Sequence, residues 1–191
     1  MSIEQNWSNL TARIDRFACK TGRSFKDIQV VAVSKTRSSD EIEVAQRCGI
    51  NIVGENRLQE AEGKKSSVSC PLSWHMIGRV QSNKAGKVVD LFDMVQSVDK
   101  KSLANTLNRK AEVLGKQIDI LVQINTTGVL NQAGVSPDYA QDLICQIAEE
   151  SKSLRVRGLM TIAPNSDDEA LVRRSFITVR HLAEKVAVLT S

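Results

Sequence analysis

The 191-residue sequence predicts an α/β fold, a parallel barrel of the (β/α)8 TIM type, from three observations. Strand-like and helix-like segments alternate six times after a leading helix, with no linker or composition break, as in a parallel sheet covered by helices. Neither a Gly-x-Gly-x-x-Gly run nor a Walker loop occurs, so an open nucleotide-binding sheet loses its main support. Polar residues cluster where the strands stop: Ser34-Lys35, Gly54-Glu55-Asn56, Gly78-Arg79, Ser97 and Asp99, Asn125-Thr126 and Thr161. In a barrel those ends share one face, where such folds place their sites. A full barrel takes eight units, about 250 residues in a typical case. This sequence supplies about six, so the expectation is one domain over residues 1–191, shortened at its C-terminus.

Each element follows from its local pattern. Ile3, Trp7, Leu10, Ile14 and Phe17 recur at helical spacing, predicting an amphipathic helix to Lys20 that Thr21-Gly22 ends. Ile28 to Val33 is apolar and rich in branched residues, which reads as a strand buried on both faces. Acidic Asp40-Glu41 suits the first turn of a helix that Gly49 closes after Arg47. Strand 50–54, polar helix 55–65, strand 72–77 and helix 82–89 follow, with Ser82 as a candidate cap. Strand 91–97, helix 100–114, strand 117–125 and a helix opened by Ser136-Pro137 come next. Strand 154–162 and a last helix from Asp167 to about Val188 complete the chain.

Composition narrows the function classes. Apolar residues make up 41% and charged residues 25%, as in ordinary globular proteins. The net charge of +4 is dispersed and aromatics are only 4%, which argues against nucleic acid as a partner. Cys19, Cys48, Cys70 and Cys145 lie far apart and histidine is scarce, so they read as reduced thiols, mostly packed, rather than metal ligands. No apolar run reaches transmembrane length, and the polar start lacks a signal core. The expectation is a cytoplasmic protein with no membrane partner.

Lys35 is the first candidate for chemistry. It follows a branched strand, and strand parity sets it on the same face as Val31 and Val33. If that face points inward, the amine stands on an apolar floor with Arg37 near, and both effects favour the neutral, nucleophilic form. Such an amine condenses with an aldehyde or ketone. The alternative, a solvated lysine without a role, stays open. His75 shares parity with Ile77 and is either a mouth residue or a packed core histidine. Asn56 either meets a ligand beside the first strand or caps the helix after it.

Five blocks occur in order: Ala32-Val33-Ser34-Lys35-Thr36; Val53-Gly54-Glu55-Asn56 with Gln59-Glu60; Trp74-His75-Met76-Ile77-Gly78 with Gln81-Ser82-Asn83-Lys84; Gln96-Ser97-Val98-Asp99; and Arg157-Gly158-Leu159-Met160-Thr161-Ile162. Together they resemble the pyridoxal-phosphate homeostasis protein family, over nearly the whole chain. The resemblance implies a barrel like the N-terminal domain of alanine racemase. It also implies a non-catalytic role in buffering or delivering pyridoxal 5'-phosphate (PLP), held as an internal aldimine on Lys35. Asn56, His75, Ile77, Ser97 and Met160 would surround the cofactor ring. PLP-dependent apoenzymes would be the partners, and the complete form would be a monomer. The chain departs from the family in two places. The family's seventh and eighth strands, which grip the cofactor phosphate, would follow Val188-Leu189-Thr190-Ser191, so weak cofactor binding is expected. In Asn131-Gln132-Ala133-Gly134 many relatives carry a lysine where Gln132 stands. A racemase is the competing reading. It needs a proton-transfer group on each face of the substrate, and the only tyrosine, Tyr139, lies after a loop near a helix start.

Overall fold

The strand order is β1-β2-β3-β4-β5-β6, so neighbours in the sheet are neighbours in the chain, and β1/β2, β4/β5 and β5/β6 pair in parallel. The computed structural model describes residues 1–129 and 132–190, and it divides into two units, Met1–His75 and the part from Met76 on. Asn131 of the 131–134 block lies outside the described residues, as do the side chains of 188–191.

In the first unit, α1 (Ile3–Cys19) opens with Ser2, whose hydroxyl oxygen accepts from the Gln5 N–H at 3.3 Å. Of its apolar stripe only Trp7 finds an aromatic partner, meeting Phe25 edge-on at 6.0 Å between centroids, while Leu10 and Phe17 stay exposed. The expected doubly buried strand is corrected. Only Ala32–Val33 form β1, and Val33 is 50% exposed. Its place at the end of the strand order gives it one paired neighbour, so ladder and packing act from one side. Then come α2 (Ser39–Arg47), β2 (Ile52–Glu55) and α3 (Leu58–Ser67). Helix α2 is set by a reciprocal capping box: the Glu41 N–H donates to Ser38 Oγ at 3.2 Å and the Ser38 N–H to Glu41 Oε2 at 2.8 Å. Strand β3 (Ser73–Met76) begins with the Ser73 N–H on the Asn51 carbonyl at 2.9 Å.

The second unit holds α4 (Ala85–Leu91), β4 (Met94–Val98), α5 (Lys101–Val113), β5 (Ile118–Ile124), α6 (Pro137–Glu150), β6 (Leu154–Thr161) and α7 (Glu169–Thr190). The stretch read as one helix from Ser82 splits into a 3-10 turn over Ser82–Lys84 and then α4, and Ser82 caps neither. Proline does stand at the first position of α6, after Ser136. Val95, Ile118, Ile120, Val122, Leu103, Leu107, Ile144 and Ile147 are all at most 2% exposed and form the core of this unit. Each such side chain contributes about 1.5–3 kcal/mol through burial. Register runs Val95↔Ile120 and Ile120↔Val156, then shifts between Ile120 and Leu121 so that Leu121 faces Gly158.

Beyond β5 the chain returns to its own strand end. The Val135 N–H donates to the Gln123 carbonyl at 2.8 Å and the Asn125 N–H to the Val135 carbonyl at 2.9 Å. Gly134 makes this contact possible: its φ is +124°, and a Cβ there would lie 2.5 Å from the Asn125 nitrogen.

Candidate functional site

Strands β1 and β2 pair Val33 with Gly54, so Lys35 and Asn56 each stand two residues past a level pair and leave parallel strands at the same end. Both are exposed, and among the described residues neither side chain has a hydrogen-bond or ion-pair partner. Asn56 therefore does not cap α3, whose N-cap is Arg57 without a side-chain bond. The apolar floor expected beneath Lys35 is not closed, because Val33 is half exposed. Nor is Arg37 a free cation beside it, since its guanidinium lies 3.4 Å from Glu41 Oε1.

What the structure places next to Lys35 is a buried polar group. Ser34 is 4% exposed and its hydroxyl donates to Glu55 Oε1 at 2.7 Å. Glu55, the last residue of β2, is fully buried. Lys64 of α3 reaches the same oxygen at 2.6 Å and donates to the Ser34 carbonyl at 2.6 Å. Its ammonium also lies 3.5 Å from Glu60 Oε2. Glu60 Oε2 in turn accepts the Thr36 N–H at 3.2 Å. That bond, then the Lys64 charge, hold the Glu60 carboxyl below its ordinary value against an opposing cost of desolvation. Thr36 has φ +63° and is the one non-glycine residue with a left-handed backbone among the described residues. Both peptide groups around Lys35 are thus tied to side chains of α3 while its own amine is untied.

Each of the remaining predicted residues has its own local setting. His75 is buried in β3, with Nε2 3.2 Å from Ser73 Oγ, as expected of a packed histidine. In the second unit, the Ser97 hydroxyl donates to the Gly78 carbonyl at 2.6 Å, so Ser97 secures the turn that carries Ile77. Met160 is half-buried in β6, opposite Gln123. Gln132 holds its loop: its amide donates to the Ile162 carbonyl at 3.1 Å. Among the described residues no cluster of histidine, cysteine and carboxylate could hold a metal, and no helix is long and apolar enough to cross a membrane. Cys19 is exposed and the other three cysteines are half-buried, less packed than expected. A cavity of about 360 Å³ beside Ala32–Ser34 has a mixed lining, with Ile42, Ala45 and Val53 on its apolar side and Asn6, Arg37 and Glu41 on its polar side.

Comparison with known proteins gives the family. The family model of the alanine racemase N-terminal domain matches residues 5–189. The pyridoxal phosphate homeostasis protein of Helicobacter pylori is 35% identical over 161 residues, 83% of this chain and 72% of that one. The structure of PipY from Synechococcus elongatus with PLP bound is 34% identical, with a TM-score of 0.77 over 85% of this chain and 76% of that one. A crystal structure of an unknown protein from Bifidobacterium adolescentis reaches a TM-score of 0.89 at 30% identity, over 97% and 79%. The chain belongs to the alanine racemase N-terminal domain family and, within it, to the pyridoxal phosphate homeostasis proteins. These relatives are named for homeostasis of a cofactor and not for a reaction.

Proposed function

We propose that the chain is a non-catalytic PLP-binding protein that buffers or delivers the cofactor, with Lys35 as its covalent anchor. The observation that carries this reading is the contrast between two amines. Lys64 is engaged with three oxygens, whereas Lys35 is accessible, has no protein partner, and sits between two anchored peptide groups. That donor set fits an aldehyde-bearing ligand, and PLP when bound supplies the aldehyde. Lys35 would hold the cofactor by condensation of its amine with that aldehyde, with one water released. Asn56, level with Lys35 and also without a partner, offers an amide for a polar ring substituent. His75, Ile77, Ser97 and Met160 are assigned to the ring by family resemblance. The whole chain acts as one cofactor-binding domain, a cytoplasmic monomer, with PLP-dependent apoenzymes as recipients.

Titration of the chain with PLP tests this reading. An absorbance band at the boundary of the visible and near ultraviolet should appear, and borohydride should fix the cofactor mass on the peptide containing Lys35. Lys35→Ala should lose both signals. Persistence of the band in Lys35→Ala after dialysis overturns the assignment.

A further inference from the structure

We propose that Glu55, Lys64 and Glu60 form a positioning relay that presents Lys35 to its ligand; this rests on Lys35 being the anchor proposed above. A lysine ammonium has three N–H donors, and Lys64 faces three oxygens: the Ser34 carbonyl, Glu55 Oε1 and Glu60 Oε2. The first is the carbonyl immediately before Lys35. The last is the carboxylate oxygen that also holds the amide immediately after it, Thr36 N–H. The residue between is therefore fixed at both peptide planes by one cation on a neighbouring helix.

Packing alone does not account for this group. A buried charge pair is weak evidence for stability, because desolvation offsets much of the attraction. Here the offset is incomplete: Glu55 is fully buried and its second oxygen, Oε2, has no hydrogen-bond partner. An apolar pair of similar size would fill the same space without leaving an unsatisfied carboxylate oxygen. What the apolar pair could not do is hold the Ser34 carbonyl or, through Glu60, a left-handed Thr36. Those two restraints orient the Cα–Cβ bond of Lys35, and orientation of a reacting amine is worth orders of magnitude in condensation. The spacing has a simple origin. Glu60 and Lys64 are one turn apart on α3, so both reach the β1 exit from one helix face.

Two variants of the full chain test the relay. Glu55→Gln combined with Lys64→Met removes the buried carboxylate and its part-buried cation while keeping an acceptor for the Ser34 hydroxyl. Glu60→Leu removes only the partly exposed carboxylate, and with it the acceptor for the Thr36 N–H, so folding is retained even if the double variant fails to fold. In the unloaded chain, amide hydrogen exchange at Thr36 should quicken about tenfold in both, with β5 amides unchanged. The PLP concentration for half-maximal absorbance should rise about tenfold in both at an unchanged fold by circular dichroism. A purely structural pair would move the melting temperature without moving Thr36 exchange selectively. The relay is overturned if half-saturation in a folded variant stays within threefold of the unaltered chain, or if Thr36 exchange does not change. Failure of the anchor assignment shows elsewhere, as a missing Lys35 adduct in the unaltered chain.

Discussion

Lys35 and Lys64 carry the same amine in opposite surroundings, and that difference was only half visible in the sequence. Lys35 was legible because strand pattern and turn signals placed it at a strand exit, and the ordered blocks singled it out. The buried Glu55–Lys64 pair was not. Glu55 read as part of a polar helix start, whereas the structure makes it the last residue of β2 with no exposure. A signal was present in Glu60 and Lys64 at one-turn spacing behind a carboxylate at a strand end, but i,i+4 charge pairs are common on solvated helix faces. Gly134 shows the same limit. Its need for a left-handed backbone depends on the chain folding back on Asn125, a contact that no local pattern announces. Gly134→Ala puts a Cβ within 2.5 Å of a backbone nitrogen at φ +124°. It should lower unfolding stability by about 2 kcal/mol or more. Denaturant unfolding measures this, and a change below about 0.5 kcal/mol would show that the loop yields easily.

At the scale of elements, helices were read well and their caps less so. Helix α2 was expected from its acidic first turn and terminal glycine, and the reciprocal bonds of Ser38 and Glu41 explain why it starts where it does. The 3-10 turn at Ser82–Lys84 was read as helix because its polar sequence distinguishes the two states poorly. The first strand was read too long because branched apolar residues signal a strand without saying whether a partner lies on each side. The cap of α2 provides a test at this scale. Ser38→Ala removes the acceptor for the Glu41 N–H and should cost about 1 kcal/mol of stability. In a chain of this size that lowers the melting temperature by a few degrees. Ser38→Asp, which keeps an acceptor, should restore most of the loss; equal losses in both would assign the effect to something other than the cap.

For the molecule as a whole, the alternation of elements followed from periodicity, while its response to acid depends on side-chain geometry that periodicity does not contain. Four exposed or partly exposed carboxyls are held below their ordinary values, near 4.5 for glutamate and 3.8 for aspartate. Each is held chiefly by a hydrogen bond: Glu4 by the Ser2 hydroxyl, Asp27 by the Ser24 N–H, Glu41 by the Ser38 N–H and Glu60 by the Thr36 N–H. A carboxyl whose folded value is depressed binds protons more readily in the unfolded chain. Its stabilising contribution is therefore complete above the unfolded value and is lost as pH falls through the folded one. Thermal unfolding should accordingly be insensitive to these groups between pH 7 and about 5.5 and shift to lower temperature on acidification below about 4.5. Glu60→Gln should flatten that acid limb, because it removes one depressed carboxyl. A midpoint that stays constant down to pH 3, or an acid limb unaltered by Glu60→Gln, would remove Thr36 and Glu60 from the account of acid sensitivity. The same titration bears on Lys35, since protonating Glu60 weakens its hold on the Thr36 amide without any mutation. Thr36 exchange, corrected for the intrinsic pH dependence, should then quicken as pH falls through the depressed range of Glu60, before the chain unfolds.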